Sequence, residues 1–444
     1  MELSNDFLIS MKEVLDEKEY DLFIESLSQK PSRGLVINNL KVDKSIFLQA
    51  FEQKLKSLPF DEYCFKLETE EKLGNSLLHK AGAFYLQEPS AMLPALSLPL
   101  KAGDLVLDVC ASPGGKSFQI AKRLDGVIVS NEIDFERAKK LQSNLERLGV
   151  KNSIITNFTS EDLAKNYPNS FDCLIVDAPC SGEGMFRRDE VARRQWSKSL
   201  VEAINKIQFE ILNNVDSCLK EGGYLVYSTC TFSLEENEKV VAHLVDLGYK
   251  IQTLPQIAGA VDGVKIAGYD TQMAKRIYPH NKLGEGQFVC LLKKLKNCTG
   301  QVKGYQIKPN VNEQKLVEEF FSVNLDIAFD FKKEIVIKDK IVYFCPDKNL
   351  IRKINIINYG VKLGSIEKNR FEPHHNFFTA FGKNFKRKLN LSEVDTLKIM
   401  QGQTINSSCP NGWVALAYKG CYFAGGKAVN GIVKNHYPKG LRLN

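Results

Sequence analysis

Leu107-Asp108-Val109-Cys110-Ala111-Ser112-Pro113-Gly114-Gly115-Lys116-Ser117 is the stretch that decides the fold class. An apolar run ends in an aspartate, passes through a proline–glycine turn and enters a helical pattern. Glycines at such a turn let a ligand approach the backbone closely and leave the first helical amides free. One chemistry that uses this arrangement is the phosphate cradle of P-loop nucleotide hydrolases, whose ending Gly115-Lys116-Ser117 imitates. That motif needs a glycine five positions before Gly115, where this chain has Cys110. The other is the nucleoside–methionine pocket of an S-adenosylmethionine-dependent enzyme. There an acidic residue ending the next strand binds the ribose hydroxyls, as in dinucleotide folds. The next strand ends Ser130-Asn131-Glu132, so Glu132 is placed for that contact. A purely structural glycine turn is the remaining reading.

Outward from this turn, β-branched apolar runs recur at 105–109, 127–130, 154–156, 173–177, 224–228 and 288–292. Amphipathic helical stretches separate most of them; after Asp134, Ala138, Leu141, Leu145 and Leu148 share one face. Strand–helix alternation of this kind predicts a mostly parallel sheet covered on both sides, with the ligand at the carboxyl ends of the strands. On the N-terminal side, Phe7, Met11, Leu15, Phe23 and Leu27 have helical spacing across 5–29, and Pro31-Ser32-Arg33-Gly34 then breaks it. On the C-terminal side the alternation stops near 296. A short helix over 313–321, β-like runs, and Gly-rich segments beyond 377 follow. The expected division is 1–75 as an N-terminal α+β unit and 76–296 as an α/β core. A linking α+β region over 297–376 and a compact basic β-barrel over 377–444 complete it.

Composition bounds the answer. The 444 residues are 43% hydrophobic and 25% charged, which is globular and excludes a mostly disordered chain. No stretch approaches the roughly 18 apolar residues of a membrane helix, and the start Met1-Glu2-Leu3-Ser4-Asn5-Asp6 is polar, so a cytoplasmic protein is expected. The 11 cysteines form no CxxC pair and there is no HExxH, so no metal is expected and free thiols are the default. Net charge is +7, but residues 293–444 carry 26 basic against 12 acidic side chains, as a nucleic-acid-binding module would. The bland alternative is a lysine-rich solubilising surface.

Two further motifs fall at strand ends. Val176-Asp177-Ala178-Pro179-Cys180 delivers an aspartate and a Pro-Cys turn; Tyr227-Ser228-Thr229-Cys230-Thr231 delivers a second cysteine. Ser233 and Glu236 after it have the spacing of a capping box. Two cysteines at neighbouring strand ends, beside an aspartate and a glycine pocket, suit methylation at carbon 5 of a pyrimidine. That carbon is too weakly nucleophilic to attack a methyl donor directly. A thiolate adding to carbon 6 makes it enamine-like, and an acidic group near ring nitrogen 3 supports the charge that develops.

The set DVCASPGGKS (108–117), NEID (131–134), DAPCSGEGMFRRD (177–189) and YSTCTFSLEENE (227–238) resembles the RNA 5-methylcytosine methyltransferases, which include NSUN proteins and RsmF-type rRNA enzymes. The stretch from Lys434 to Arg442 is similar to the PUA-like tail of the RsmF type. The resemblance implies a Rossmann-like class I methyltransferase core using S-adenosylmethionine, with an N-terminal α+β domain and a C-terminal PUA-like extension. It implies Cys230 as nucleophile, Cys180 as the group assisting release, Asp177 at the base and cofactor, and Lys116 ordering the site. Cys110, Ala111, Ser112, Pro113, Gly114, Gly115 and Lys116 would line the cofactor, with Glu132 on the ribose. One departure is Thr159, standing where many members place an adenine-contacting aspartate; Glu161 or Asp162 are the alternatives. The implied substrate is structured RNA, 16S rRNA of the small subunit ahead of tRNA, and a monomer is expected. A P-loop ATPase and a non-catalytic RNA-binding assembly factor are the readings from other classes.

RNA contacts are expected at Arg187 and Arg188, which with Phe186, Arg193, Arg194 and Trp196 form a basic–aromatic run beside the Pro-Cys turn. A duplex cytosine must be flipped or unpaired to reach a buried thiol, and these residues would border its entry. Lys386, Arg387, Lys434 and Lys439 would neutralise phosphates on the PUA-like side.

Overall fold

The computed structural model describes residues 3–51, 54–296, 298–307 and 310–443. Seven strands form the body of a ten-stranded central sheet: β1 Leu105–Asp108, β2 Val127–Asn131, β3 Ser153–Thr156, β4 Phe171–Asp177, β5 Leu219–Thr229, β6 Tyr249–Gln252 and β7 Gln287–Lys294; Val261–Asp262 and Lys275–Ile277 extend it beyond β7, and Ile356–Asn358 beyond β3. Their spatial order is β3-β2-β1-β4-β5-β7, with β6 also pairing β7. β1 to β5 run parallel and β7 is antiparallel to β5. The six apolar runs read from the sequence each lie in one of these strands. The order reverses between β1 and β4, which puts the ends of β1, β2, β4 and β5 at one rim, the place where open α/β sheets bind ligands.

The strands are apolar in succession because both faces are covered. Leu107, Val129, Ile154, Leu174 and Leu225 enter one buried cluster; Val106, Ile128, Ile155, Ile175 and Val226 enter the other. Each fully buried aliphatic side chain contributes about 1.5–3 kcal/mol. Helix α1 (Gly115–Ala121) and helix α2 (Phe135–Arg147) cover the second face, α2 through Ala138, Leu141 and Leu145. Helix α3 (Ser160–Asn166), helix α4 (Lys198–Val215) and helix α5 (Glu238–Asp246) cover the first.

The N-terminal unit is a four-stranded antiparallel sheet, Leu55–Ser57, Cys64–Leu67, Gly34–Ile37 and Phe84–Leu86, so its last strand comes from beyond residue 75. Ahead of it, the expected single helix over 5–29 is two, Asn5–Val14 and Glu17–Leu27. Asp16 breaks the pattern by accepting the Glu19 amide as an N-cap, which the hydrophobic spacing conceals because the second helix resumes the same face.

Beyond the core, helix Val311–Asn324 packs on an antiparallel sheet of Ile335–Lys338, Ile341–Phe344, Val361–Glu367 and Arg370–Pro373. Between the second and third of these, Ile356–Asn358 leaves to pair antiparallel with β3. Helix His375–Phe381 leads to the PUA-like extension, a curled five-stranded sheet in the order 388–391, 412–418, 421–429, 432–435, 405–406. No helix among the described residues is long and apolar enough to cross a membrane.

Candidate active site

The glycine turn is built as the sequence suggests. Gly114 sits at φ +109°, a conformation that disfavours any side chain, and starts α1 without a side-chain cap. Asp108 ties the strand to the helix by accepting the Ser117 hydroxyl at 2.6 Å. The turn separates two cavities. Cys110 and Ser112 border a large cleft of ≈ 610 Å³; Ala111, Pro113, Gly115 and Lys116 border a smaller one of ≈ 220 Å³ behind it, and Cys110, Ser112 and Asp177 are common to both.

In the large cleft the two strand-end cysteines converge, with Cys180 Sγ and Cys230 Sγ 3.3 Å apart. Asp177 stands beside them as a wall of the same cleft. It accepts Lys116 Nζ at 2.6 Å and the Ser228 hydroxyl at 2.8 Å. Burial pushes the Lys116 ammonium down, but Asp177 and then Cys230 outweigh it and its pKa ends above the usual lysine value. That pairing uses the lysine a P-loop would direct at phosphate. The Cys180 thiol is pushed well up by its hydrogen bond with Cys230 and then by burial, so this sulfur keeps its proton.

Residues the sequence reading passed over hold the sulfurs together. Glu236 crosses between the two loops: it accepts Ser181 N at 2.8 Å, Ser181 Oγ at 2.5 Å and Gln208 Nε2 at 3.2 Å. The capping-box reading holds in half: Ser233 Oγ accepts Glu236 N at 3.3 Å, but the reciprocal carboxylate is spent on Ser181 and α5 begins only at Glu238. Glu183 makes the reciprocal bridge, accepting Phe232 N at 2.7 Å and Trp196 Nε1 at 2.8 Å. Gly184 N donates to Cys230 O at 2.8 Å. Burial raises the Glu236 carboxyl to about 7 and the Asp108 carboxyl to about 7, against the hydrogen bonds each accepts. Buried carboxylates in a polar cleft wall are a sequence signal only when their partners are known, and these partners lie up to 55 positions away.

Glu132 follows β2 at the far wall of the cleft, 2% exposed; its Oε1 accepts Asp134 N at 3.0 Å and its Oε2 is ion-paired with Arg137 Nη2 at 3.3 Å. Thr159 caps α3 by accepting Asp162 N at 3.1 Å; Thr159 and Glu161 border the cleft, and Asp162 does not.

The basic–aromatic run is mostly interior. Arg187, with its side chain 5% exposed, is locked to Glu285 by two hydrogen bonds of 2.7 Å and is not available to a phosphate. Phe186 and Trp196 pack against Phe7 in the N-terminal aromatic cluster. Arg188 stays exposed beside Ser32 O. On the C-terminal side Lys386, Lys434 and Lys439 are exposed, whereas Arg387 is half-buried over Gly412 and donates to Asn324 Oδ1 at 3.3 Å.

Comparison with known proteins locates this architecture. Residues 95–293 match the model of the 16S rRNA methyltransferase RsmB/F family, and 3–89 match the N-terminal domain of 16S rRNA methyltransferase RsmF. Residues 319–381 and 386–443 match the first C-terminal domain and the PUA domain of RsmF. The chain is 31% identical to ribosomal RNA small subunit methyltransferase F of Vibrio vulnificus, covering 99% of this chain and 97% of the relative. It is 33% identical to the protein of that name in Psychromonas ingrahamii, over 94% and 92%. Among solved structures, a methyltransferase homolog of Pyrococcus horikoshii is similar at TM-score 0.58 and 28% identity, over 66% of this chain and 95% of that one. NSun6 of the same organism shares the fold at TM-score 0.59 and 21% identity, over 66% and 99%.

Proposed function

The chain belongs to the RsmB/F family of 16S rRNA methyltransferases, and on that footing we propose that it methylates carbon 5 of a cytosine in 16S rRNA, with Cys230 as nucleophile and Cys180 as release group. The observation that carries this reading is the pair of sulfurs 3.3 Å apart, at the rim that also holds the Lys116–Asp177 pair. A single nucleophile needs no second thiol in contact with it. In an addition–elimination sequence through one ring carbon, a second thiol in contact stands where the departing sulfur must be handled.

The large cleft fits S-adenosylmethionine. Glu132 offers a buried carboxylate to a ribose diol, and Cys110 and Ser112 of the uncapped turn border the same cleft. When bound there, S-adenosylmethionine supplies an electrophilic methyl group. The chain's own residues do the rest. Cys230 gives its thiol proton to solvent and its sulfur adds to carbon 6; the carbon–sulfur bond forms as the 5,6 double-bond electrons move to carbon 5. Asp177 and Lys116 support the charge at ring nitrogen 3. After methylation the carbon 5 proton passes to solvent, its bonding electrons re-form the 5,6 double bond and the sulfur–carbon 6 bond breaks, with the Cys180 thiol beside the departing sulfur. In this reading the partner is 16S rRNA, free or in the assembling small subunit, and the enzyme acts as a monomer.

The test is a denaturing gel of wild type, Cys180→Ala and Cys230→Ala after incubation with S-adenosylmethionine and radiolabelled total RNA. Retention of 16S rRNA by Cys180→Ala alone is the expected result. Retention by Cys230→Ala instead would exchange the two roles, and recovery of tRNA would overturn the substrate. No adduct and no methyl transfer from any form would overturn the reaction.

A further inference from the structure

We propose that the crevice where the N-terminal unit, the end of α2 and the C-terminal sheet meet is a second nucleoside pocket, taking one unpaired base of the RNA distant from the reacting cytosine. This rests on RNA being the substrate. The crevice has a volume of ≈ 300 Å³, at the lower end of the roughly 300–1,000 Å³ of small-molecule sites. Its walls come from segments far apart in the chain: His79 and Lys80, Glu146 and Arg147, His375 and Asn376, and Tyr437.

The lining has the chemistry of a base rather than of an anion or a lipid. Asn376 is 3% exposed, and its Nδ2 lies near the Glu146 carboxyl but outside hydrogen-bond geometry; His375 Nδ1 is also unpartnered among the described residues. An unpaired buried polar atom is costly, and a ligand edge carrying both donors and acceptors would satisfy these two. Burial holds His79 down to about 4 and His375 down to about 3, so both imidazoles are neutral and can donate or accept. Burial also favours the uncharged form of Glu146. The His375 ring stands edge-on to Tyr437 at 5.3 Å, and Phe423 completes an aromatic wall suited to a flat heterocycle.

The surroundings fit a strand of phosphates. Lys80 borders the crevice, and the exposed Lys439 lies two positions from the wall residue Leu441. Position adds a function. Helix α2 begins beside Glu132 in the methyl-transfer cleft and ends at Glu146 and Arg147 in the crevice, 13 residues or roughly 20 Å away. A base held at one end of a rigid helix would fix which cytosine reaches the other end.

Nucleotide binding can be read without methyl transfer. Each nucleoside 5′-monophosphate is titrated into the full chain, without S-adenosylmethionine, by ligand-observed NMR. Two variants are compared after their melting temperatures are checked. Ser143→Trp fills the crevice from an exposed position on α2, and Asn376→Leu takes no hydrogen bond from Nδ2 because it makes none. The expected result is saturable binding of at least one nucleotide, weakened at least tenfold in either folded variant and kept in Cys230→Ala. Methylation by Ser143→Trp should show KM for RNA raised about tenfold with kcat kept. Unchanged binding and unchanged KM in a folded variant would overturn the pocket. A chain that binds nucleotide here but methylates no RNA would overturn the reaction and leave the pocket standing.

Discussion

Replacing Gly184 by alanine tests whether the closeness of the two cysteine loops matters. A Cβ built on Gly184 would stand 2.8 Å from Cys230 O and 3.0 Å from Gly286 O. Both obstacles are backbone, so no rotamer change relieves them. Ordinary contact begins at 3.4 Å, so the loops must part by about 0.6 Å on the Cys230 side. Overpacking of this kind costs about 1–3 kcal/mol, which lowers Tm by several degrees at roughly 2–4 °C per kcal/mol for a core of this size. The displacement falls on the residue whose sulfur lies 3.3 Å from Cys180. Misplacement by about 1 Å can cost about a hundredfold in rate, so a shift half as large should cost on the order of tenfold. The assays are single-turnover methylation, scanning calorimetry, and the yield of denaturation-resistant RNA adduct with Cys180→Ala added. A variant with lowered Tm but wild-type rate and adduct yield would refute the claim that loop contact sets sulfur geometry.

Three further outcomes are expected. Glu132→Ala should weaken S-adenosylmethionine binding about tenfold to a hundredfold by calorimetry, with a small loss of Tm from the Arg137 ion pair and the Asp134 amide contact it makes; unchanged affinity would remove Glu132 from the cofactor site. Arg187→Ala should lose about 3–5 kcal/mol of stability by leaving Glu285 buried and unpaired, whereas Arg188→Ala should leave denaturation unchanged and weaken RNA retention on filters; the opposite ranking would restore Arg187 as an RNA contact. Glu236 and Asp108 bind their protons more tightly folded than unfolded, so the stability they contribute is full below about pH 4 and is lost as pH rises toward about 7. At about 1.4 kcal/mol per pKa unit, denaturant titration should show a decline of a few kcal/mol over that window, shallower in Glu236→Gln; a slope identical in wild type and variant would refute the Glu236 contribution.

What could be read from the sequence was what is local along the chain. Asp108 to Ser117 form strand, turn and helix within ten positions, and Cys180 and Cys230 each follow a strand end, so alternation alone predicts a shared rim. The core side chains of α2 were readable for the same reason. Arg187 was misread because its partner Glu285 is 98 residues away, and a basic residue beside a phenylalanine looks the same whether it faces RNA or a buried carboxylate. Glu183 and Glu236 were passed over because their work is between loops. Ser233 and Glu236 imitate a capping box in sequence, yet the carboxylate turns to a serine that chain order does not reveal. The crevice at the end of α2 has no motif at all, since at least five separate segments supply its walls.

The pairing of Ile356–Asn358 with β3 bears on how this chain can be divided. Without that short strand, β3 would be the outermost member of an open sheet and would present a row of free amides and carbonyls, the template on which chains add to one another. The residues that shield it lie more than 50 positions beyond the last strand of the core, inside the region that leads to the RNA-binding extension. A fragment stopped at residue 296 would keep every thiol and cofactor residue described above and still be prone to aggregate. By that pairing the C-terminal region covers an edge of the central sheet, and exchanging it for another domain would require the replacement to bring its own cover for that edge.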